Sequence, residues 1–180
     1  MFLQGIKEES MKAKNKLLTL LILSAGAAVT TAGINKAIQF SAISKNFLAE
    51  PEPLCFKWRL GNVYYTKEGT GKPLLLIHDL DTCTSGYEWK QLIPFLSSKY
   101  TVYTIDLLGF GRSEKANMTY TNFLYVQLIS DFIKSEIGHR TSIITSGEAA
   151  SIPLMACANN PDLFDQIMAI NPLSLLDFSS

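Results

Sequence analysis

An α/β fold on a mostly parallel sheet is predicted by the way apolar runs and helical stretches alternate along the 180 residues. "PLLLIHD" (Pro73–Asp79) and "TVYTIDL" (Thr101–Leu107) are apolar enough to be strands covered on both faces. "TNFLYVQLISDFIKSEI" carries Phe123, Val126, Ile129, Ile133 and Ile137 at helical spacing, so it predicts an amphipathic helix. Two more short strands, "TSIIT" and "DQIMAIN", flank a helical stretch through "SIPLMACANN". Strand–helix alternation of this kind folds into a right-handed, helix-covered parallel sheet.

The amino-terminal third is of a different kind. Residues 1–16 form a leader in which Lys12, Lys14 and Lys16 precede an uncharged run, Leu17 to Asn35. That run is close to the ~20 residues that span a bilayer as a helix. It predicts a hydrophobic helix ahead of the sheet and reads as a membrane anchor, with the lysines holding their end in the cytoplasm and the domain extracytoplasmic. A cleaved secretory signal, ending near Ala25-Gly26-Ala27, is the alternative and would release the domain. A buried core helix is the third reading, disfavoured because the apolar residues run all round. Residues 36–53 read as a stem closed by Pro51 and Pro53, and residues 54–180 as the α/β domain.

Within that domain, "CFKWRLGNVYYTKEG" predicts a β-hairpin bending at Gly61-Asn62. "GYEWKQLIPFLSS" predicts a helix with Trp89, Leu92, Ile93 and Leu96 inward. Cys55, Cys83 and Cys157 stand far apart and predict three core thiols, neither a disulfide framework nor a zinc site. With 47% hydrophobic and 18% charged residues the chain belongs with folded globular proteins. A formal net charge of zero removes the bulk attraction that a nucleic-acid partner needs. Asp79, Asp81 and Glu88 read as a solvated acidic loop with no histidine at ligand spacing, and no phosphate-loop motif occurs, so neither metal nor cofactor is expected.

Ligands of parallel sheets sit at the carboxyl edges of the strands. Those edges hold His78-Asp79, Asp106, the turn from Thr145 to Ala149, and Asn171-Pro172. Four stretches at these edges, "LLLIHDL", "YTIDLLGFGRSEK", "SIITSGEAAS" and "NPDLFDQIMAINP", together resemble the α/β-hydrolase superfamily over roughly residues 56–172. They correspond to the third strand and its turn, the fourth strand with its Asp-x-x-Gly-x-Gly-x-Ser turn (Asp106, Gly109, Gly111, Ser113), the fifth strand with its nucleophile elbow, and the sixth-strand region. The resemblance implies an α/β-hydrolase-type sheet and the hydrolysis of small ester- or amide-type substrates. It also implies oxyanion donation from the backbone N–H groups of Leu80 and Glu148, a turn-shaping His78, and a loop braced by Asp106 and Arg112.

Two departures bear on activity. Thr145 and Ala149 are the small residues flanking the elbow, which puts Gly147 at the nucleophile position, where no side chain can attack. Ser146 is the alternative nucleophile, but that register sets Ile144 and Glu148 where small residues belong; Ser151, inside the helix, is a poorer one. Asp79 stands where the family has glycine and adds negative charge beside the oxyanion position. The family's acid and base follow later strands, while His139 precedes the fifth strand, on the far edge of the sheet. The sheet is therefore expected to be incomplete and the chain, read as truncated after the sixth strand, to be catalytically silent. Its partner is an unidentified small-molecule substrate or ligand. A non-catalytic binding module that keeps the cleft is the reading from another class.

Overall fold

The computed structural model describes residues 53–172, together with Gly33, Ile34 and Ala37. Apart from Gly33 and Ile34, the expected helix of Leu17 to Asn35 lies outside the described residues. Among the described residues no helix is long and apolar enough to cross a membrane.

Six strands form one mixed sheet: β1 (Leu54–Trp58), β2 (Gly61–Glu68), β3 (Lys72–Ile77), β4 (Tyr100–Ile105), β5 (Thr141–Ser146) and β6 (Phe164–Ile170). Their order is β1-β2-β4-β3-β5-β6. β1 pairs antiparallel with β2 and β2 antiparallel with β4, whereas β3, β4, β5 and β6 run parallel. Among residues 53–172 the α-helices are α1 (Ile93–Leu96), α2 (Asn122–Phe132) and α3 (Ser151–Asn159). The predicted alternation is thus present in the parallel part, and the hairpin adds the antiparallel edge.

One face of the sheet carries the larger core. Alternate residues of the strands, Leu75 and Ile77, Tyr103 and Ile105, and Ile143, meet Leu128, Ile129, Phe132 and Ile133 there. Phe132 lies edge-on to Phe56, Tyr65 and Tyr103 at centroid separations of 5.7, 5.0 and 6.3 Å. The opposite face packs Leu74, Leu76 and Val102 under Trp89.

Four sequence expectations are corrected. The hairpin turns at Arg59 and Leu60, because Trp58 pairs directly with Gly61, and Gly61 therefore belongs to β2. The stretch after Ser85 is a 3₁₀ turn (Gly86–Trp89) followed by the single-turn α1, and Leu92 is exposed. Pro94 sits in the first turn of α1, a position that tolerates the missing N–H and suits a helix start rather than a helix interior. Phe123 is also exposed, whereas Val126, Ile129, Ile133 and Ile137 are buried; α2 further buries Leu124, Tyr125, Leu128 and Phe132, a wider face, because it packs against both the sheet and α3. Cys55 and Cys83 are exposed, and only Cys157, half-buried, packs against the core.

α2 starts at Thr121, whose hydroxyl accepts from the N–H of Leu124, and runs into a π-turn, Ile133–Ile137. Gly138, left-handed at φ 73°, ends it with its N–H donating to the Ile133 carbonyl at 2.7 Å. The wider turn aligns a polar seam between helix and hairpin. Arg59 donates to Gln127, Trp58 Nε1 to Asp131 at 2.8 Å and Tyr65 to Glu136 at 2.5 Å. A step of four residues and then one of five stay on the same side, because the π-turn needs more residues per revolution. Burial, then the bond to Glu136, pushes the Tyr65 hydroxyl well above its usual range, so it stays the donor.

Candidate functional site

The carboxyl ends of β3, β4 and β5 are held by two carboxylates that work in the same way. Asp106, just after β4, accepts the N–H of Gly86 on one oxygen (2.7 Å) and that of Arg112 on the other (2.8 Å). Gly111, which precedes Arg112, is left-handed at φ 47°, and a Cβ there would fall 2.3 Å from Asp106 Oδ2. Ser113 completes the loop, donating to the Asp106 carbonyl (2.5 Å) while accepting from the Tyr64 N–H (2.8 Å). Gly109 at φ 93° lies against the Tyr120 ring, where a Cβ would come within 3.0 Å.

The second carboxylate is Asp79, after β3. Its Oδ1 accepts from both Leu80 N–H (2.7 Å) and Glu148 N–H (2.8 Å). Glu148 follows Gly147, which is left-handed at φ 55°, and a Cβ on Gly147 would lie 2.0 Å from Asp79 Oδ2. The Asp79 carboxylate therefore fills the space into which a side chain at 147 would project. The sequence flagged Asp79 as a charge beside the Leu80 and Glu148 amides; in the structure that charge is their hydrogen-bond partner. The one signal available beforehand was that the two departures from the family pattern, a glycine lost at 79 and a side chain lost at 147, compensate one another.

His78 is fully buried. Its Nδ1 is 2.6 Å from the Asp79 carbonyl and its Nε2 3.0 Å from the Leu107 nitrogen. A carbonyl only accepts and an N–H only donates, so Nδ1 carries the proton and Nε2 is the acceptor. Both ring nitrogens are thereby engaged in joining the loops after β3 and β4. Burial is the largest influence on the ring and lowers its pKa below the ordinary value, against the pull of nearby carboxylates.

The remaining candidates fall as follows. Ser146 ends β5, is 8% exposed, and its Oγ has no hydrogen-bond partner among the described residues. The Ser151 hydroxyl donates to the Glu148 carbonyl inside its own turn. His139 is exposed beside Gly138 at the opposite end of β5. Glu88 accepts the Asp79 N–H at 3.1 Å, and Asp81 accepts that of Thr82 at 2.6 Å. Among the described residues no imidazole is hydrogen-bonded to a serine, and no group of three candidate ligands is placed to hold a metal ion.

No protein-family model matches the chain. Among curated proteins it is similar to 2-hydroxy-6-oxo-6-(2'-aminophenyl)hexa-2,4-dienoic acid hydrolase of Metapseudomonas resinovorans, 27% identical over 114 residues, covering 62% of this chain and 39% of that protein. It is also similar to a soluble epoxide hydrolase of Corynebacterium sp. (strain C12), 27% identical over 110 residues, covering 61% of this chain and 37% of that one. Among solved structures, an α/β hydrolase fold protein from Burkholderia ambifaria superposes with a TM-score of 0.63 at 20% identity, over 68% of this chain and 44% of its own. The alignments with the two curated relatives thus span less than two fifths of their length.

Two predictions follow from the carboxyl edge. Gly147→Ala should cost about 3 kcal/mol or more in urea unfolding, combining left-handed strain with displacement of a doubly bonded carboxylate. In an Asp79→Gly background the same change should cost only about 1–2 kcal/mol, the strain alone; equal costs in the two backgrounds would rule out the contact. The buried neutral His78 takes up a proton on unfolding, so its contribution is present above the ordinary imidazole pKa of about 6.5 and is lost as pH falls below it. Urea unfolding at several pH values between about 7.5 and 5 should therefore show a smaller loss of stability for His78→Gln than for the wild type.

Proposed function

Because the chain carries the α/β-hydrolase fold, we propose that it is a hydrolase-like module that receives a small neutral ester- or amide-type ligand at the carboxyl edge of its sheet and does not cleave it. The curated relatives are hydrolases, which supports the hydrolase-like reading. Their names cover a dienoic acid hydrolase, an epoxide hydrolase and a haloalkane dehalogenase, so the fold alone does not choose the bond. Gly147 is the observation that carries the reading. It adopts the left-handed backbone of the turn between β5 and α3, yet offers no atom to attack a carbonyl.

Ser146 supports the same conclusion. Among the described residues its buried hydroxyl has no hydrogen-bond partner, and both nitrogens of His78 are already engaged. The oxyanion pair is also engaged, since both amides already donate to Asp79.

We further propose that the uncharged run from Leu17 to Asn35 tethers this module to a membrane with the domain extracytoplasmic; the preceding lysines and the length of the run support it. Alkaline carbonate extraction of membranes from expressing cells tests the tether: the chain should stay in the pellet, and its release into the supernatant would refute it. For the module itself, nitrophenyl acetate and butyrate should be hydrolysed no faster with purified protein than in buffer. Turnover that Ser146→Ala abolishes would overturn the proposal.

A further inference from the structure

We infer that Asp79 is a built-in ligand of the Leu80 and Glu148 amides, and that it makes this cleft refuse carboxylates and other small oxyanions. The inference rests on reading those amides as the oxyanion pair of the cleft. Two N–H groups from separate loops converge on one oxygen, at 2.7 and 2.8 Å, which is the arrangement that binds an anion strongly. Here the anion is supplied by the chain itself.

The occupant is held as a fixture rather than as a swinging side chain. The Asp79 N–H donates to Glu88 Oε2 at 3.1 Å. Its carbonyl accepts from the Thr84 hydroxyl and from His78 Nδ1, both at 2.6 Å. With its backbone fixed on both sides, the carboxylate needs only its own two torsions to reach the amides, so little entropy opposes the contact. The volume fits as well, because the absent side chain of Gly147 leaves the space the carboxylate fills. A competing anion would have to displace a tethered one and approach Glu88 and the exposed Glu148 as well. A neutral carbonyl ligand meets no such repulsion, which is why refusal falls on anions in particular.

The test uses the full chain and sodium formate, with sodium chloride at equal ionic strength as reference. In Asp79→Ala, and in Asp79→Gly as a second variant with still less side chain, formate should saturably shift the backbone amide resonances of Leu80 and Glu148. Binding should be at least about tenfold tighter than in the wild type, and formate should raise Tm where chloride does not. Asp79→Asn, whose amide oxygen can still occupy the pair, should stay unresponsive. The inference is overturned if the wild type takes up formate as tightly as the variants, or if neither amide moves in either variant. Ester turnover by the wild type would sink the proposed function without altering this result, so the two failures are distinguishable.

Discussion

Backbone amides at the carboxyl edge of a parallel sheet need acceptors, and in this protein two aspartates supply them. Asp106 and Asp79 each follow a strand, and each accepts the N–H that follows a left-handed glycine, Asp106 within its own loop and Asp79 from the loop after β5. A hydrogen bond to a charged acceptor contributes about 1.5–3 kcal/mol, so such contacts bear on where a loop rests. The glycines are required twice over: by φ, and because a Cβ at Gly111 or Gly147 would overlap the carboxylate. His78 links the two clamps, one ring nitrogen on the Asp79 carbonyl and the other on the Leu107 amide. The loops after β3, β4 and β5 thus form one hydrogen-bonded rim.

This arrangement relates the fold to its proposed role. A rim built for acyl transfer leaves its anion-binding amides open until charge develops on the substrate. In this chain the amides are satisfied in the resting protein, and the position above them has no attacking atom. On the proposed reading, what is kept is the framework that positions a ligand.

The strand order along the chain is legible because apolar runs of β-branched and leucine residues are a strong signal, and the small residues Thr145, Gly147 and Ala149 mark the turn at the end of β5. The direction of the Asp79 carboxylate is not, since it depends on side-chain torsions and on a loop that the chain reaches 69 residues later. Hairpin registry was missed for a local reason: Gly61-Asn62 looks like a bend, yet cross-strand pairing of Trp58 with Gly61 moves the turn back to Arg59 and Leu60. The buried face of α2 is legible at Val126, Ile129, Ile133 and Ile137 but not at Phe123, and a regular α period does not foretell the wider π-turn at Ile133–Ile137.

That wider turn makes the helix a ruler with one extra graduation. Wound as ordinary α-helix with all its residues kept, the same segment would run one residue ahead and carry Glu136 about 100° around the axis. Tyr65 would then lose its acceptor while its ring stayed trapped among Phe132 and Tyr103. The acceptor of the Tyr65 hydroxyl therefore depends on the pitch of this turn as much as on the residue at position 136.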